Sequence, residues 1–425
     1  MFAILILCGA SLTREVSLPE PAVFPSSVPG FSTVVIPGCR RASLPGYPLL
    51  PLVPVVFAFR GEPGQVSLNL DNFRPVALDL PVEPASAPMP IGFVEARMPV
   101  PAPEVYASPE CHPRDALAGV HVGRLMGCTI YSCLVSPWRY RPLEGRLEIA
   151  GKVSLTLEYR EEAPETALSP LQARLVDDRA ARLAGESVPP APVAGRGSAE
   201  YLLITGDGYL PVFQPLLEAH ARRGLTVKAL GMGRVTTVYG GVRECIRWHY
   251  LNEGTVFVLL GGDASVVPAK EILVGCSDEN LWEYAPVDLY YACLDGDWDG
   301  DGDGVPGQPW DDPDLYPEVI LGRGLFRTQA GAAAFVDKTV TYLDNPPEGG
   351  WSSTATLNGG LLFPDIGYTG ARGCEVMAGY FPDDWEIVRS YEFEVGDYPD
   401  TFFEPIAAGA GWNHYAGHGN SRGVY

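Results

Sequence analysis

The hydrophobic period of this chain changes once, near residue 200, and that change constrains the fold more than any other feature. From about residue 12 to 185, short runs alternate apolar with polar residues between prolines and glycines: Ser32–Ile36, Val53–Phe59, Gln65–Leu70, Arg74–Leu80, Thr129–Val135, Arg146–Ala150 and Lys152–Tyr159. A period of two sends alternate side chains to one face, so these runs predict an antiparallel β-sandwich or barrel. Beyond residue 200, strand patterns at Tyr201–Thr205, Thr226–Leu230, Thr255–Leu260, Glu318–Leu321, Ala355–Phe363, Trp385–Tyr391 and Gly411–Ala416 alternate with helical ones. Those helices fall at Pro211–Arg223, Val242–Asn252, Thr328–Leu343 and Gly370–Tyr380. Strand and helix in turn predict an α/β domain with a largely parallel sheet.

The chain is therefore expected to be multi-domain, all-β first and α/β second. Its 425 residues exceed one ordinary domain, and 46% apolar against 19% charged residues excludes a disordered chain. A helix near Leu168–Leu183 closes the first part, and the proline-rich stretch 186–199 reads as an exposed linker open to proteolysis. The expected boundaries are thus 12–185, 186–199 and 200–425. Within the linker, Arg196–Gly197 is the candidate processing bond, with an uncut interdomain connection as the alternative. Residues 1–11 carry a short apolar run with no basic flank, which fits a truncated secretory signal or a misplaced start. No other stretch is long and apolar enough to span a membrane.

Charge divides along the same line. Residues 1–196 hold 17 Lys+Arg and 19 Asp+Glu, and the rest of the chain holds 13 and 33. A second part this acidic argues against a nucleic-acid partner, because phosphate binding needs a basic face. Nine cysteines show no repeated CxxC spacing, so neither a zinc ribbon nor a dense disulfide framework is indicated.

Five aspartates stand at every second position from Asp295 to Asp303: Asp295, Asp297, Asp299, Asp301 and Asp303. Eight acids and no base lie between Asp295 and Asp314. Carboxylates this dense repel unless a cation neutralises them, and hard oxygen ligands with interleaved glycines suit Ca²⁺. Asp297, Asp299, Asp301 and Gly302 match the first half of an EF-hand-type loop. The second half does not match, so Asp311, Asp312 or Asp314 would supply the closing ligand. The expected role of the ion is to stiffen the loop; the alternative is a solvated acidic loop.

At the end of the last strand pattern, His418 lies between Gly417 and Gly419. Glycines there allow close backbone approach, and the Gly419 amide is placed to help hold an oxyanion. His414 and His418 are four residues apart, but Gly409–Gly417 is a poor helix former, which argues against a zinc pair.

Five segments stand in order: Tyr201-Leu-Leu-Ile-Thr205, Val256-Phe-Val-Leu-Leu-Gly-Gly-Asp263 with Val267-Pro-Ala-Lys270, Asp288-Leu-Tyr-Tyr-Ala-Cys-Leu-Asp295, Pro317-Glu-Val-Ile-Leu-Gly-Arg323, and Asn413-His-Tyr-Ala-Gly-His-Gly-Asn420. Together they resemble the catalytic domain of the gingipain family, cysteine peptidases with a caspase-like fold. Leu44-Pro-Gly-Tyr-Pro-Leu-Leu-Pro51 and Ser136-Pro-Trp-Arg-Tyr-Arg-Pro-Leu-Glu-Gly-Arg146 similarly resemble the family's N-terminal pro-domain.

The resemblance implies a cysteine-type endopeptidase with a Cys-His dyad, acting on polypeptides outside the cell or at its surface, with the pro-domain packed on its own catalytic domain. It implies His418 as the catalytic histidine and Gly419 as the oxyanion-hole glycine. Glu271 is implied as the acid that orients the histidine, and Asp288 as the acid selecting a basic P1 side chain; for Asp288, a strand-end role beside the acidic loop is the alternative. The family's nucleophilic cysteine is expected a few tens of residues beyond the histidine, so as given the chain is expected to hold half a dyad and to be inactive. Two other readings remain: an inactive, calcium-stabilised surface or secretion-associated module of the same fold, and an extracellular binding protein that works through its β-rich half.

Overall fold

The computed structural model describes residues 10–86, 98–162, 167–185, 193–276, 281–363, 368–392, 398–420 and 423–424. The N-terminal part is built mainly from strands β1 (Ala10–Ser17), β2 (Pro51–Phe59), β3 (Gly61–Val76), β4 (Leu117–Leu125), β5 (Cys128–Val135), β6 (Trp138–Arg141) and β7 (Arg146–Glu161). One antiparallel sheet has the order β1-β7-β3, with β6 on the first residues of β7; the other runs from Arg40–Arg41 through β2 and β5 to β4. Their facing side chains, among them Phe57, Phe59 and Val135 from one and Ile149, Leu155 and Leu157 from the other, share one core. The sandwich expected from the period of two is therefore present.

Two pairs of expected strands merge. Gln65–Leu70 and the first three residues of Arg74–Leu80 fall in β3, while Arg146–Ala150 and Lys152–Tyr159 fall in β7. The break read from the sequence is a local kink where Gly151 passes beside Asn72, whose φ of 57° is left-handed. A Cβ at position 151 would lie 3.2 Å from the Asn72 carbonyl oxygen, so glycine keeps the pairing continuous.

Helix α1 (Pro170–Ala184) starts with a reciprocal capping box, Ser169 Oγ accepting from the Gln172 amide and Gln172 Oε1 from the Ser169 amide, and stops at Gly185 in a left-handed conformation. Gln172 also donates to the Tyr250 and Thr255 carbonyls at 3.0 and 3.2 Å. Val176 and Ala180 of α1 join Ala58, Met126 and Ile130 of the β part to Leu202, Ile204 and Leu260 beyond it in a single core. That shared core docks the N-terminal part on the α/β region.

The α/β region follows with β8 (Tyr201–Thr205), α2 (Gln214–Arg222), β9 (Val227–Gly231), α3 (Val242–Glu253), β10 (Phe257–Gly261), a hairpin of β11 (Glu271–Cys276) and β12 (Leu281–Pro286), β13 (Ile320–Gly324) and α4 (Gln329–Asp344). Strands β9-β8-β10-β13 form a wholly parallel sheet. The hairpin had no sequence signal: Ser277-Asp-Glu-Asn280 between its strands is not a tight-turn dipeptide motif.

A second parallel sheet, β16-β14-β17, comprises β14 (Thr354–Gly359), β16 (Glu386–Tyr391) and β17 (Trp412–Ala416), with β15 (Leu361–Phe363) pairing Tyr368–Thr369. Helices α5 (Ala371–Ala378) and α6 (Tyr398–Ala408) accompany it, the latter carrying Pro405 internally. Leu357, Cys374 and Tyr391 form a core of their own.

By compactness the chain divides inside α4, one unit holding the described residues up to Val340 and the other those from Thr341 onward. The sequence placed a boundary at 186–199. The structure joins both sides of that stretch in one unit, because α1 contributes to a core that spans them. Residues 186–192 lie outside the described residues. Of the remainder, Arg196 is bonded to Glu200 and to the Gly224 carbonyl, and Gly197 is buried against Glu253 and Gly254. The candidate bond Arg196–Gly197 is thus held against the fold rather than in an open linker.

Candidate active site

In the first unit, the residues after β12 fold into a loop anchored at three places. At its start, both oxygens of Asp288 are taken by Arg323, from Nε and Nη2 at 2.7 Å each. Arg323 Nη1 also donates to the Gly262 and Val267 carbonyls at 2.9 and 2.6 Å. This guanidinium ties the carboxyl edges of β10 and β13 to the loop, and it neutralises Asp288 within the fold. Sequence reasoning singled out the Leu-Gly-Arg323 motif but assigned Arg323 no role.

The second anchor is a buried group of acids. Glu318 is 1% exposed and accepts from the Leu294 and Met126 amides at 2.6 and 3.3 Å. Asp314 accepts from the Arg124 and Tyr316 amides at 2.6 and 2.9 Å. Burial pushes the Glu318 carboxyl well up, and the neighbouring Asp295 adds to it. Asp295 is itself raised to about 6, first by burial and then by Asp314. These acids clamp the loop onto the β4–β5 turn, and that packing is where Asp295 belongs.

The third anchor shapes the acidic segment itself. Asp297 Oδ1 accepts from the Asp299 amide at 3.0 Å, Asp301 Oδ1 from the Asp303 amide at 3.0 Å, and Asp303 Oδ1 from the Val305 amide at 2.7 Å. Asp299 accepts from the Gly304 amide, and Asp311 from the Gln308 amide at 2.8 Å. Gly302, Gly304 and Gly307 take left-handed φ of 72°, 84° and 86°, which an alanine would resist. These turns bring ligand oxygens of Asp299, Asp301 and Asp303 within 4.8 Å of one another. Three carboxylates at that spacing fit a hard cation, which would take its further oxygens from backbone and water. Of the six aspartates read as ligands, these three are gathered; Asp297 and Asp311 hold backbone amides, and Asp295 sits among Asp314 and Glu318.

Glu271 opens β11 and is exposed. It lines a cleft with Lys270, Tyr284, Pro286 and Val305, so one edge of the acidic segment borders it. Burial drives the Cys293 thiol far up, aided by Glu318, and the thiol is wholly enclosed. Cys293 is thereby unfit as a nucleophile.

His418 belongs to the second unit, where β17 leaves the sheet. Asn358 Nδ2 donates to the His414 carbonyl at 3.1 Å, and Thr356 Oγ1 donates to Asn413 Oδ1 at 2.7 Å, fixing β17 on β14. A Cβ on Gly370 would meet the Ala416 carbonyl oxygen at 1.9 Å, and one on Gly417 would meet the Tyr415 hydroxyl at 2.1 Å. Glycine at both places lets the chain turn sharply into His418. The ring of His418 is half-buried, and its Nε2 lies 2.6 Å from the Leu362 carbonyl oxygen. A carbonyl only accepts, so Nε2 carries a proton and Nδ1 is the basic nitrogen of the neutral ring. The Tyr415 hydroxyl donates to the His418 carbonyl at 3.1 Å. Gly419 then enters a short antiparallel pairing with Val424. Cys374 is buried under β14 with its Sγ 3.5 Å from the Asn358 carbonyl, and burial raises its thiol, so it belongs to the core of this unit.

The family model of peptidase family C25 matches residues 195–425, more than half of the chain. By class this is a member of a cysteine-peptidase family. The chain belongs to peptidase family C25, the gingipain-like cysteine peptidases. No curated protein matches it.

Among solved structures, a gingipain K structure from Porphyromonas gingivalis on zymogenic latency is 17% identical, covering 36% of this chain and 88% of that one at a TM-score of 0.31. A complex of pro- and mature domains from the same organism is 12% identical, covering 40% and 90% at 0.33. The Arg-specific cysteine proteinase gingipain R is 19% identical, covering 52% of this chain and 48% of that one at 0.39. The present chain thus spans about half the length of that proteinase. Among the described residues no helix is long and apolar enough to cross a membrane.

Proposed function

We propose that this chain carries the general acid-base half of a gingipain-type endopeptidase, with His418 working beside a cysteine thiolate. The supporting observation is His418 at the carboxyl end of a parallel strand, its Nε2 tethered to Leu362 and its Nδ1 the basic nitrogen. In the reaction, the sulfur bonds to the scissile carbonyl carbon, the imidazolium gives its proton to the leaving amine as the C–N bond breaks, and an acyl-enzyme forms. His418 then takes a proton from water, whose oxygen attacks the thioester and releases the sulfur. The Gly419 amide would hold the oxyanion in both steps.

The Leu362 carbonyl would take part of the orienting role that the resemblance gives to Glu271; a carbonyl fixes the tautomer without adding charge. Asp288 would select a basic P1 side chain only by exchanging its contacts with Arg323 for the substrate. Asp299, Asp301 and Asp303, supported by Asp297 and Asp311, would hold a Ca²⁺ that cancels their mutual repulsion and stiffens the loop. The β-sandwich would serve as a pro-domain, and the acidic second part suits an extracellular or cell-surface setting.

The test uses the full-length gene product and an irreversible thiol-directed peptidyl ketone with arginine at P1. Wild type should be labelled and should cleave polypeptides, and His418→Ala should lose both by at least a hundredfold. Undiminished turnover in His418→Ala, or an intact reading frame without a cysteine beyond His418, would sink the assignment.

A further inference from the structure

The parallel sheet of the C-terminal unit has two ends, and only its carboxyl end leads to His418. At the amino ends of β14 and β16 lies a separate cleft of about 670 Å³. It is lined by Tyr342 and Trp351, by apolar Val388 and Ile406, and by Glu348 and Glu386. Strand β17 carries five residues between the two ends, so the cleft and His418 are separated by roughly 17 Å of strand rise.

Every feature of this cleft favours a cation on an apolar stem. Tyr342 and Trp351 meet edge to face with centroids 5.8 Å apart, and the Trp351 Nε1–H donates to the Pro347 carbonyl at 2.6 Å, which holds the indole in place. Aromatic faces attract ammonium and guanidinium groups. Tyr342 lies in the last turn of α4, and Ala408 ends α6; both line the cleft, so two helix carboxyl ends add partial negative charge. Among the described residues, no lysine or arginine lines it. Residues 341–425 contain 12 acids and 3 arginines, of which Arg389 is committed to Glu375. A hard metal ion would gain nothing from the indole and Val388, and a small free amine would leave the apolar floor uncovered.

We infer that this cleft is a second, non-catalytic binding site for a polypeptide segment carrying an arginine or lysine side chain. The stem would lie on Val388, Ile406 and the Trp351 ring, with the charged head between Glu348 and Glu386. A peptidase of this chain would then hold a basic stretch of its protein substrate away from the scissile bond. That last step rests on the peptidase reading; the binding does not, and its test needs no cleavage.

The experiment follows the Trp351 indole N–H by NMR in the full chain, assigned with Trp351→Phe, on titration with acetyl-Gly-Leu-Arg-Leu-Gly-amide. The expected result is a saturable shift, abolished when citrulline replaces arginine and weakened at least tenfold in Glu348→Gln/Glu386→Gln. Both carboxylates are exposed, so that variant should fold, and Glu386→Lys gives a second check by rejecting the arginine peptide while keeping its melting temperature. Equal binding of the citrulline peptide, wild-type affinity in the double variant, or a shift produced by Ca²⁺ or argininamide as readily as by the peptide would each overturn the inference.

Discussion

Arg323→Ala should be among the most damaging single changes in the first unit. The Arg323 side chain is 10% exposed and its partner Asp288 29%, so the pair sits largely out of water. Its loss removes two charge-assisted bonds to Asp288 and two to the Gly262 and Val267 carbonyls. It also leaves a half-buried carboxylate with no cation. Breaking such a pair costs about 3–5 kcal/mol, because the orphaned charge keeps its desolvation cost. In a unit of this size that corresponds to a fall in melting temperature on the order of 10 °C.

Urea unfolding of wild type, Arg323→Ala, Asp288→Ala and the double variant gives the coupling directly. The double variant should be less destabilised than the two singles added together, by about 1–3 kcal/mol. Additive singles, or an Arg323→Ala cost under about 1 kcal/mol, would refute the view that Asp288 is first a structural partner of Arg323. The same series bears on specificity: if Asp288 also selects a basic P1 residue, Asp288→Asn should raise KM for arginine substrates more than it lowers stability.

Three further perturbations test other parts of the molecule. If Asp299, Asp301 and Asp303 hold Ca²⁺, adding the ion at a hundred times its Kd should raise stability by about 2.7 kcal/mol. Asp301→Asn should cancel most of that gain, and an EGTA-insensitive melting curve would reject the site. Burial lowers the His249 pKa despite its 2.7 Å contact with Glu253, so the folded state prefers the neutral ring. Its contribution is whole above the unfolded value of 6.5 and is lost as pH falls from there through the lower folded value; a His249→Gln variant with an unchanged stability slope between pH 7 and 5 would contradict this. Glu318 is the opposite case. Its raised carboxyl keeps the proton in the fold, so its contribution is whole below the unfolded value of 4.5 and is lost as pH rises toward the folded one. Glu318→Gln should flatten that decline and be at least as stable as wild type at pH 8, as judged by thermal melts; lower stability there would argue for an ionised, paired Glu318.

Local pattern was enough for much of this protein. Alternation along Val53–Phe59 and Lys152–Tyr159 is a consequence of one buried face per strand, and it survives in β2 and β7. The strand and helix order after residue 200 likewise follows from period alone, whereas the candidate status of His418 between glycines came from the family resemblance. Helix α6 escaped because Pro405 interrupts its signal, and the β11–β12 hairpin because its turn lacks a recognisable dipeptide.

Long-range contact decided the rest. A run of alternate aspartates is uniform in sequence, yet burial against Asp314 and Glu318 sets Asp295 apart, while backbone amides bend Asp299, Asp301 and Asp303 toward one point. The partners Arg323 for Asp288 and Leu362 for His418 lie 35 and 56 residues away in sequence, distances over which residue type carries no pairing information. The division of the chain was decided the same way. A proline-rich stretch predicted a linker at 186–199; packing of α1 places both sides of it in one compact unit, and the division by compactness falls within α4. The sequence by itself determined most of the elements that form, because they follow from local side-chain type. Only the tertiary structure decided which charges are neutralised, which are buried and which are left exposed, because those depend on what the fold brings alongside each one.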